Sequence, residues 1–351
     1  MIIRYLEPSD YNLWNDYILR HPVATHCHLI GWKDIIEGAY NLQSFYLLAQ
    51  SSSQIVGVLP MFHIKSIIFG NQIVSMPYLN YGGILADNSL TSNLLLNKAY
   101  EISREFNIGS LEFRHVEALN EDVFGDKIYS IKENKVRMVL QMPESALLLF
   151  KSFKSKLRSQ INRPIREGMK FKLGSQELLK DFYKVFSENM RDLGSPVHSQ
   201  EFFSLIFKYL GVNTKIGIVY HYDIPVAGGI IIIFRNTIEI PWASSLREYN
   251  RLSPNMLLYW SFLEFAGNKG FKFFDFGRST INSGTFRFKK QWGARSENLV
   301  WYKFYQGKPK KSHTYGKNGP IIEDLSVFLW KHLPLRLANH FGPKIRSSIS
   351  L

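Results

Sequence analysis

One order of elements runs twice along this chain, and that repetition limits its fold more than any other feature. Residues 55–59 read Ile-Val-Gly-Val-Leu, and residues 225–230 read Pro-Val-Ala-Gly-Gly-Ile at the matching place in the second half. Each is followed by a further strand, a helix, and a strand ending in Arg114 or Arg278. The offset is roughly 160–170 residues, as expected for two copies of one α/β domain. The expected fold class is therefore α/β with mixed α+β sheets, two domains in tandem and a C-terminal helical tail. The expected bounds are 1–143, 144–305 and 306–351. The cleft between the copies is the expected ligand site.

Periodicity fills in each half. A strand over Ile2–Leu6 precedes a helix capped by Ser9 or Asp10, with Tyr11, Trp14 and Ile18 on one face. A second helix covers Trp32–Ala39, and Phe45–Ala49 with Ile55–His63 form a hairpin. A strand over Ile73–Pro77, a helix over Ser92–Phe106 and strands over Ser110–His115 and Val136–Met142 complete the first half. In the second, one helix begins at Ser145 and continues through a basic stretch. Between Lys151 and Lys172 eight cations, Arg158 and Arg163 among them, face one acid, Glu167. Leu157 and Ile161 share a face, so this helix is amphipathic, and its cationic face suits phosphates as well as plain solvent. Helices over Leu178–Asp192 and Ser199–Tyr209 and strands over Lys215–His221, Val226–Phe234 and Thr237–Ser244 follow. Ser253 and Pro254 start a helix running to about Ala266. Beyond Phe304, Lys308, Lys310, Lys311 and Lys317 make a basic linker. Ile321–Phe341 reads as one or two amphipathic helices broken at Pro334, suited to an anionic membrane surface or to docking on the body.

Composition narrows the partners. A net charge of +14 on 351 residues favours nucleic acid, a nucleotide-linked substrate or an anionic membrane surface. No DNA- or RNA-reading motif accompanies that charge, so DNA is not expected. Aromatic residues reach 15%, enough to line grooves as well as cores. Cys27 is the single cysteine, which excludes an internal disulfide and a Cys₄ or Cys₂His₂ zinc site. His26 and His28 offer half a metal site without a third ligand nearby in sequence, and no metal is expected. The N-terminus lacks a signal-peptide pattern and no apolar run reaches ~18–20 residues. The expected location is cytoplasmic, at most peripheral on the inner face of the membrane.

Chemistry concentrates in Phe273–Gly293. An apolar strand breaks at Gly277 and delivers Asp275, Arg278 and Ser279 to its open end, where α/β folds commonly present reactive groups. A Gly-rich turn and the loop Gly284-Thr-Phe-Arg-Phe-Lys289 follow, placed to close over an anion. The plainer alternative is a strand followed by a solvated basic loop. In the first half, Pro77-Tyr78-Leu-Asn-Tyr81-Gly82-Gly83 pairs ring faces with a double glycine that lets a ligand approach the backbone. It can also be a turn and nothing more.

These residues resemble the FemABX-like proteins, in particular the branch associated with PEP-CTERM/exosortase systems. The resemblance rests on Asp275-Phe-Gly-Arg-Ser-Thr with Gly284-Thr-Phe-Arg-Phe-Lys-Lys-Gln-Trp-Gly293. It extends to Gly31-Trp32, Gly57-Val-Leu-Pro60, Ser75–Gly83 and Leu329-Trp-Lys-His-Leu-Pro-Leu335, and so covers nearly the whole chain. It implies two tandem GNAT-like domains, the first binding acceptor and the second catalytic. It implies transfer of an acyl or aminoacyl group to an amine in peptidoglycan or exopolysaccharide synthesis. Lys289 matches the family lysine that assists transfer. Two departures matter. No helical arm like that of the tRNA-using members fits between Lys172 and Lys215. Arg247–Asn255 also lacks the glycines of an acetyl-CoA pyrophosphate loop.

The expected mechanism follows. An amine attacks an ester or thioester carbonyl, and the oxyanion needs positive charge or N–H donors. Lys289 serves the oxyanion or leaving group, Arg278 a phosphate or carboxylate, and Asp275 the incoming amine, unless Asp275 is a structural acid paired with an arginine. Trp32, Tyr81 and Trp242 line the acceptor cleft. Tyr78, Gly82, Arg114, Arg158, Arg163, Ser244, Asn255 and Ser279 complete the expected substrate contacts. No tightly bound cofactor is expected; acyl-CoA or aminoacyl-tRNA is the donor, and tRNA enters only in that role. The acceptor is a cell-wall or polysaccharide precursor. The alternatives are an acyl-CoA-dependent N-acyltransferase on a small or sugar-linked amine, or a non-enzymatic adaptor binding lipid-linked precursor at the membrane.

Overall fold

The structure, a computed structural model, describes residues 1–66, 70–132, 134–307 and 326–350. The expected basic linker, and Leu325 in the expected tail helix, lie outside the described residues. The chain forms two compact units, 1–135 with 298–319 and 344–351, and 136–297 with 320–343.

Elements follow the expected order with few exceptions. β1 (Ile2–Tyr5) precedes α1 (Tyr11–Arg20), where Arg4 clamps Asp10 at 2.6 and 2.8 Å. Next come α2 (Gly31–Tyr40), the hairpin β2 (Ser44–Ser51) and β3 (Gln54–Ser66), β4 (Gly70–Val74) and β5 (Leu85–Ala86). α3 (Ser89–Glu105) starts where the Asn88 side chain accepts from the Thr91 N–H, and β6 (Ser110–His115) and β7 (Tyr129–Lys132) follow. The second unit holds β8 (Lys135–Gln141), α4 (Ala146–Ser152), α5 (Ser155–Arg166), β9 (Met169–Gly174), α6 (Leu179–Leu193) and α7 (Gln200–Leu210). It continues with β10 (Thr214–His221), β11 (Ile224–Phe234), β12 (Thr237–Ser245), α8 (Pro254–Asn268), β13 (Phe273–Thr280), α9 (Gly284–Lys290) and β14 (Arg295–Asn298). β15 (Val300–Tyr305), α10 (residues 326–331) and α11 (Leu335–Arg346) end the chain.

The two sheets repeat one another strand for strand. The first runs β1-β2-β3-β4-β6-β15-β7, with β5 beside β3; the second runs β9-β10-β11-β12-β13-β8-β14, read from its other edge. Each holds a parallel pair at the matching place: β4 with β6, and β12 with β13. The halves have exchanged a strand. β8, read from sequence as the closing strand of the first half, lies in the second sheet. β15, read from sequence as the end of the second half, lies between β6 and β7 in the first. Alternation of apolar residues specifies a strand and its two faces but not the sheet it joins.

Both faces of each sheet are covered, which explains the continuous apolar runs of β3 and β11. In the first unit Leu59 and Met61 pack with Leu95 and Leu96 of α3. On the opposite face Tyr46 meets Trp14 of α1 at 5.3 Å and Phe62 at 5.7 Å. In the second unit Val219, Ala227 and Ile231 form a core with Leu258 and Phe262 of α8. Trp242 of β12 meets Phe203 of α7 edge-on at 5.4 Å.

Three local expectations change. The single helix expected from Ser145 is two, because Phe153 turns extended and packs against Trp260 and Trp292 at 6.0 and 5.6 Å. The Gly284–Lys289 loop is helical, since Ser283 caps it by accepting from the Phe286 N–H. Ser253 precedes α8 as expected, but it sits at φ 61° and its side chain makes no cap. The tail breaks at Pro334, and its Val327 lies so close to the turn at Gly194 that a Cβ there would fall within 2.5 Å. Among the described residues no helix is long and apolar enough to cross a membrane.

Candidate active site

The parallel pair β12–β13 sets the site. Its register holds for three residues, from Thr237 against Phe273 to Glu239 against Asp275. Beyond that point no further pairing joins them among the described residues, although β12 runs on to Ser245 and β13 to Thr280. Two buried carboxylates, Glu239 and Asp275, therefore stand where pairing stops. At Gly277 the backbone takes φ 72°, a left-handed turn within the strand that glycine adopts without a Cβ clash. Its N–H points back to Asp275 Oδ1 at 2.7 Å.

Asp275 is held rather than free. Arg137 of β8 donates through Nε to its Oδ2 at 2.6 Å. Burial pushes its carboxyl up; Arg137 pulls it down and Glu239 pushes it up again, leaving it above the usual carboxylate range. Arg137 and Glu239 were not singled out from the sequence. Glu239 carried a signal, as the one charge in its strand, Thr237–Ser245.

Lys289 reaches this point from α9. Its side chain is buried, and Nζ donates to the carbonyls of Arg278 at 2.8 Å and Gly277 at 3.3 Å. Burial lowers its pKa to about 8, although Asp275 and Glu239 pull the other way. An ammonium has three N–H donors. Two are engaged by β13, and the third is available to a ligand.

The structure brings Asp275, Arg278, Ser279 and Lys289 together on β13 and α9. Arg278 is half-buried, and Ser279 Oγ is buried with no hydrogen-bond partner among the described residues. Ser244 lies on β12 beyond the point where pairing stops, and Asn255 is in the first turn of α8. Arg158 and Arg163 sit on α5, with Arg158 Nη1 donating to Lys151 O at 3.2 Å. Trp242 is a correction: it is buried in the ring cluster of Phe202, Phe203 and His198 rather than lining a cleft.

The expected acceptor contacts in the first unit are corrected too. Trp32 is fully buried and donates to His26 O at 2.9 Å. Tyr81 is fully buried as well. Arg114 is enclosed: it bonds Glu112, the carbonyls of Met76, Leu79 and Ser350, and lies 4.5 Å from the centre of the Trp301 ring. Tyr78 donates through its hydroxyl to Ser347 O at 3.0 Å and through its N–H to Ser350 O at 2.8 Å. The close approach that the double glycine permits is internal. A Cβ on Gly83 would lie 2.7 Å from the His115 ring, and one on Gly82 2.9 Å from Met76. Sequence cannot separate an aromatic that stacks on a ligand from one that fills a core.

With this geometry in hand, known proteins sharpen the reading. The acetyltransferase (GNAT) domain family matches residues 151–290. No curated protein matches the sequence. Among solved structures, FemX superposes with a TM-score of 0.69 at 14% identity, over 88% of this chain and 98% of its own. L-PGS from Bacillus licheniformis gives 0.57 at 12% identity, over 95% of this chain and 100% of its own. A tandem GNAT protein from the clavulanic acid biosynthesis pathway gives 0.55 at 9% identity, over 88% and 100%. At these identities the likeness is one of fold. Residues 151–290, within the second unit, thus carry an acetyltransferase (GNAT) domain, and the fold of the chain is the one seen in FemX and in the tandem GNAT protein.

Proposed function

We propose that this protein transfers an acyl or aminoacyl group to an amine acceptor in cell-envelope synthesis, on a peptidoglycan or exopolysaccharide precursor. The observation that carries the reading is Lys289: a buried amine of lowered pKa, tied to β13 by two carbonyls, with a third donor to offer. The fold shared with FemX and L-PGS supports the envelope setting.

In this reading the acceptor amine attacks the donor carbonyl, and the N–C bond forms as charge collects on oxygen. Lys289 donates a hydrogen bond to that oxyanion. Collapse breaks the C–O or C–S bond, and the leaving oxygen or sulfur takes the proton that the amine gives up. Asp275, with Arg137 and the Gly277 N–H on its two oxygens, lies near enough for its negative charge to favour the protonated form of Lys289. Arg278 meets a phosphate or carboxylate. Donor chemistry divides the proposal. Between β9 and β10 the longest helix is α6, of 15 residues, and no arm is present among the described residues. That favours acyl-CoA over aminoacyl-tRNA. The residues before α8 instead form a 3₁₀ turn, Arg247–Leu252, not a glycine loop.

The test is transfer of labelled acyl groups from acetyl-CoA, longer acyl-CoAs and aminoacyl-tRNA to amine-bearing precursors. Lys289→Ala is expected to lower kcat ~100-fold or more, in keeping with loss of one oxyanion donor. Full activity in Lys289→Ala and Asp275→Ala, both folded, would sink the assignment.

A further inference from the structure

The end of α9 and the turn after it border an open pocket of about 830 Å³ within the second unit. That lies within the ~300–1,000 Å³ typical of small-molecule sites. The break between α4 and α5 builds it. Phe153 turns inward there, and Leu149, Leu157 and Trp292 join it as a buried apolar floor, with half-exposed Leu148 at the side. Four exposed cations, Lys154, Lys156, Arg287 and Lys290, stand around this floor, and among the described residues no carboxylate lines the pocket. The Trp292 indole N–H is fully buried and has no hydrogen-bond partner among the described residues.

We propose that this pocket binds a single-chain anionic amphiphile, its alkyl or acyl chain on the apolar floor and its head group among the four cations. Each half of the site argues for one half of the ligand. A purely polar anion leaves the floor wet. A neutral apolar ligand leaves four positive charges without a counter-charge. A nucleobase needs an open ring face, whereas Trp292 is fully covered by its neighbours. The site is separate from the transfer chemistry at Lys289, and the proposal does not rest on it.

The experiment is calorimetric titration of the full chain with dodecyl phosphate below its micelle threshold, beside octyl phosphate, dodecyl maltoside and inorganic phosphate. Dodecyl phosphate is expected to bind tightest, weakening up to about fourfold for each buried methylene removed. Lys156→Glu with Lys290→Glu changes exposed side chains, and circular dichroism checks the fold. This pair is expected to weaken dodecyl phosphate tenfold or more and to leave dodecyl maltoside unchanged. Equal affinity for dodecyl maltoside, equal affinity for inorganic phosphate, or indifference to the charge reversals would each overturn the proposal. So would binding to phosphatidylglycerol vesicles without binding to monomeric dodecyl phosphate, which would make this face a membrane contact.

Discussion

At Lys289 the fold holds an amine out of water, and that has a measurable consequence. Its pKa drops from 10.5 to about 8. Below pH 8 the folded and unfolded chains both carry the proton; between about 8 and 10.5 the unfolded chain alone keeps it. This group's contribution therefore favours folding increasingly as pH rises through that window. We predict that the stability gap between wild type and Lys289→Met moves toward wild type by about 3 kcal/mol from pH 7.5 to 10.5. Denaturant melts of both proteins across that range check it. Activity should run the opposite way, falling above pH 8 as the ammonium donor is lost. Asp275 gives a second residue-scale prediction. Asp275→Leu alone removes the 2.6 Å charge-assisted contact that Arg137 makes in the interior and is expected to cost on the order of 3 kcal/mol. The pair Asp275→Leu with Arg137→Met should cost clearly less, which a double-mutant cycle by urea melts would show. Asp275 and Lys289 were legible from their motif. Arg137 was not, since it comes from a strand more than a hundred residues away in sequence.

Among the elements, α9 and the α4–α5 break carry the most information. A seven-residue helix is too short to persist on its own, so its Ser283 cap and buried face decide whether it forms. Ser283→Ala is expected to cost about 1 kcal/mol of stability. It should also lower activity more than that loss explains, because α9 positions Lys289; transfer kinetics beside a thermal melt separate the two. Phe153→Ala removes the ring packed on Trp260 and Trp292 and is expected to cost about 3–4 kcal/mol. Helix periodicity was legible in Leu157 and Ile161. The break before them was not, because Phe153 leaves the helix to meet rings from α8 and from the turn after α9.

For the whole molecule, the strand exchange matters most. β15 lies between β6 and β7 inside the first sheet, yet it follows residues 136–297 of the second unit in sequence. A fragment of residues 1–143 therefore lacks an internal strand and exposes two unsatisfied edges. We predict that this fragment, expressed alone, shows no cooperative thermal transition by circular dichroism and aggregates. A cooperative melt from the isolated fragment would contradict it. The exchange also means that folding of the first sheet waits on late-synthesised residues, a high-contact-order arrangement.

The elements, their repeated order and the clustering of polar and charged groups in Phe273–Gly293 were legible in the chain alone. Local periodicity, caps and a dense motif act over a few residues, and those signals are written in the chain. Tertiary structure alone decided which sheet β8 and β15 join, that Arg137 holds Asp275, and that Trp32, Tyr81, Arg114 and Trp242 are interior groups. Burial and pairing depend on residues distant in sequence. An apolar strand is equally content in either sheet until its neighbours are in place, and a tyrosine or arginine looks the same in sequence whether it faces a ligand or its own core.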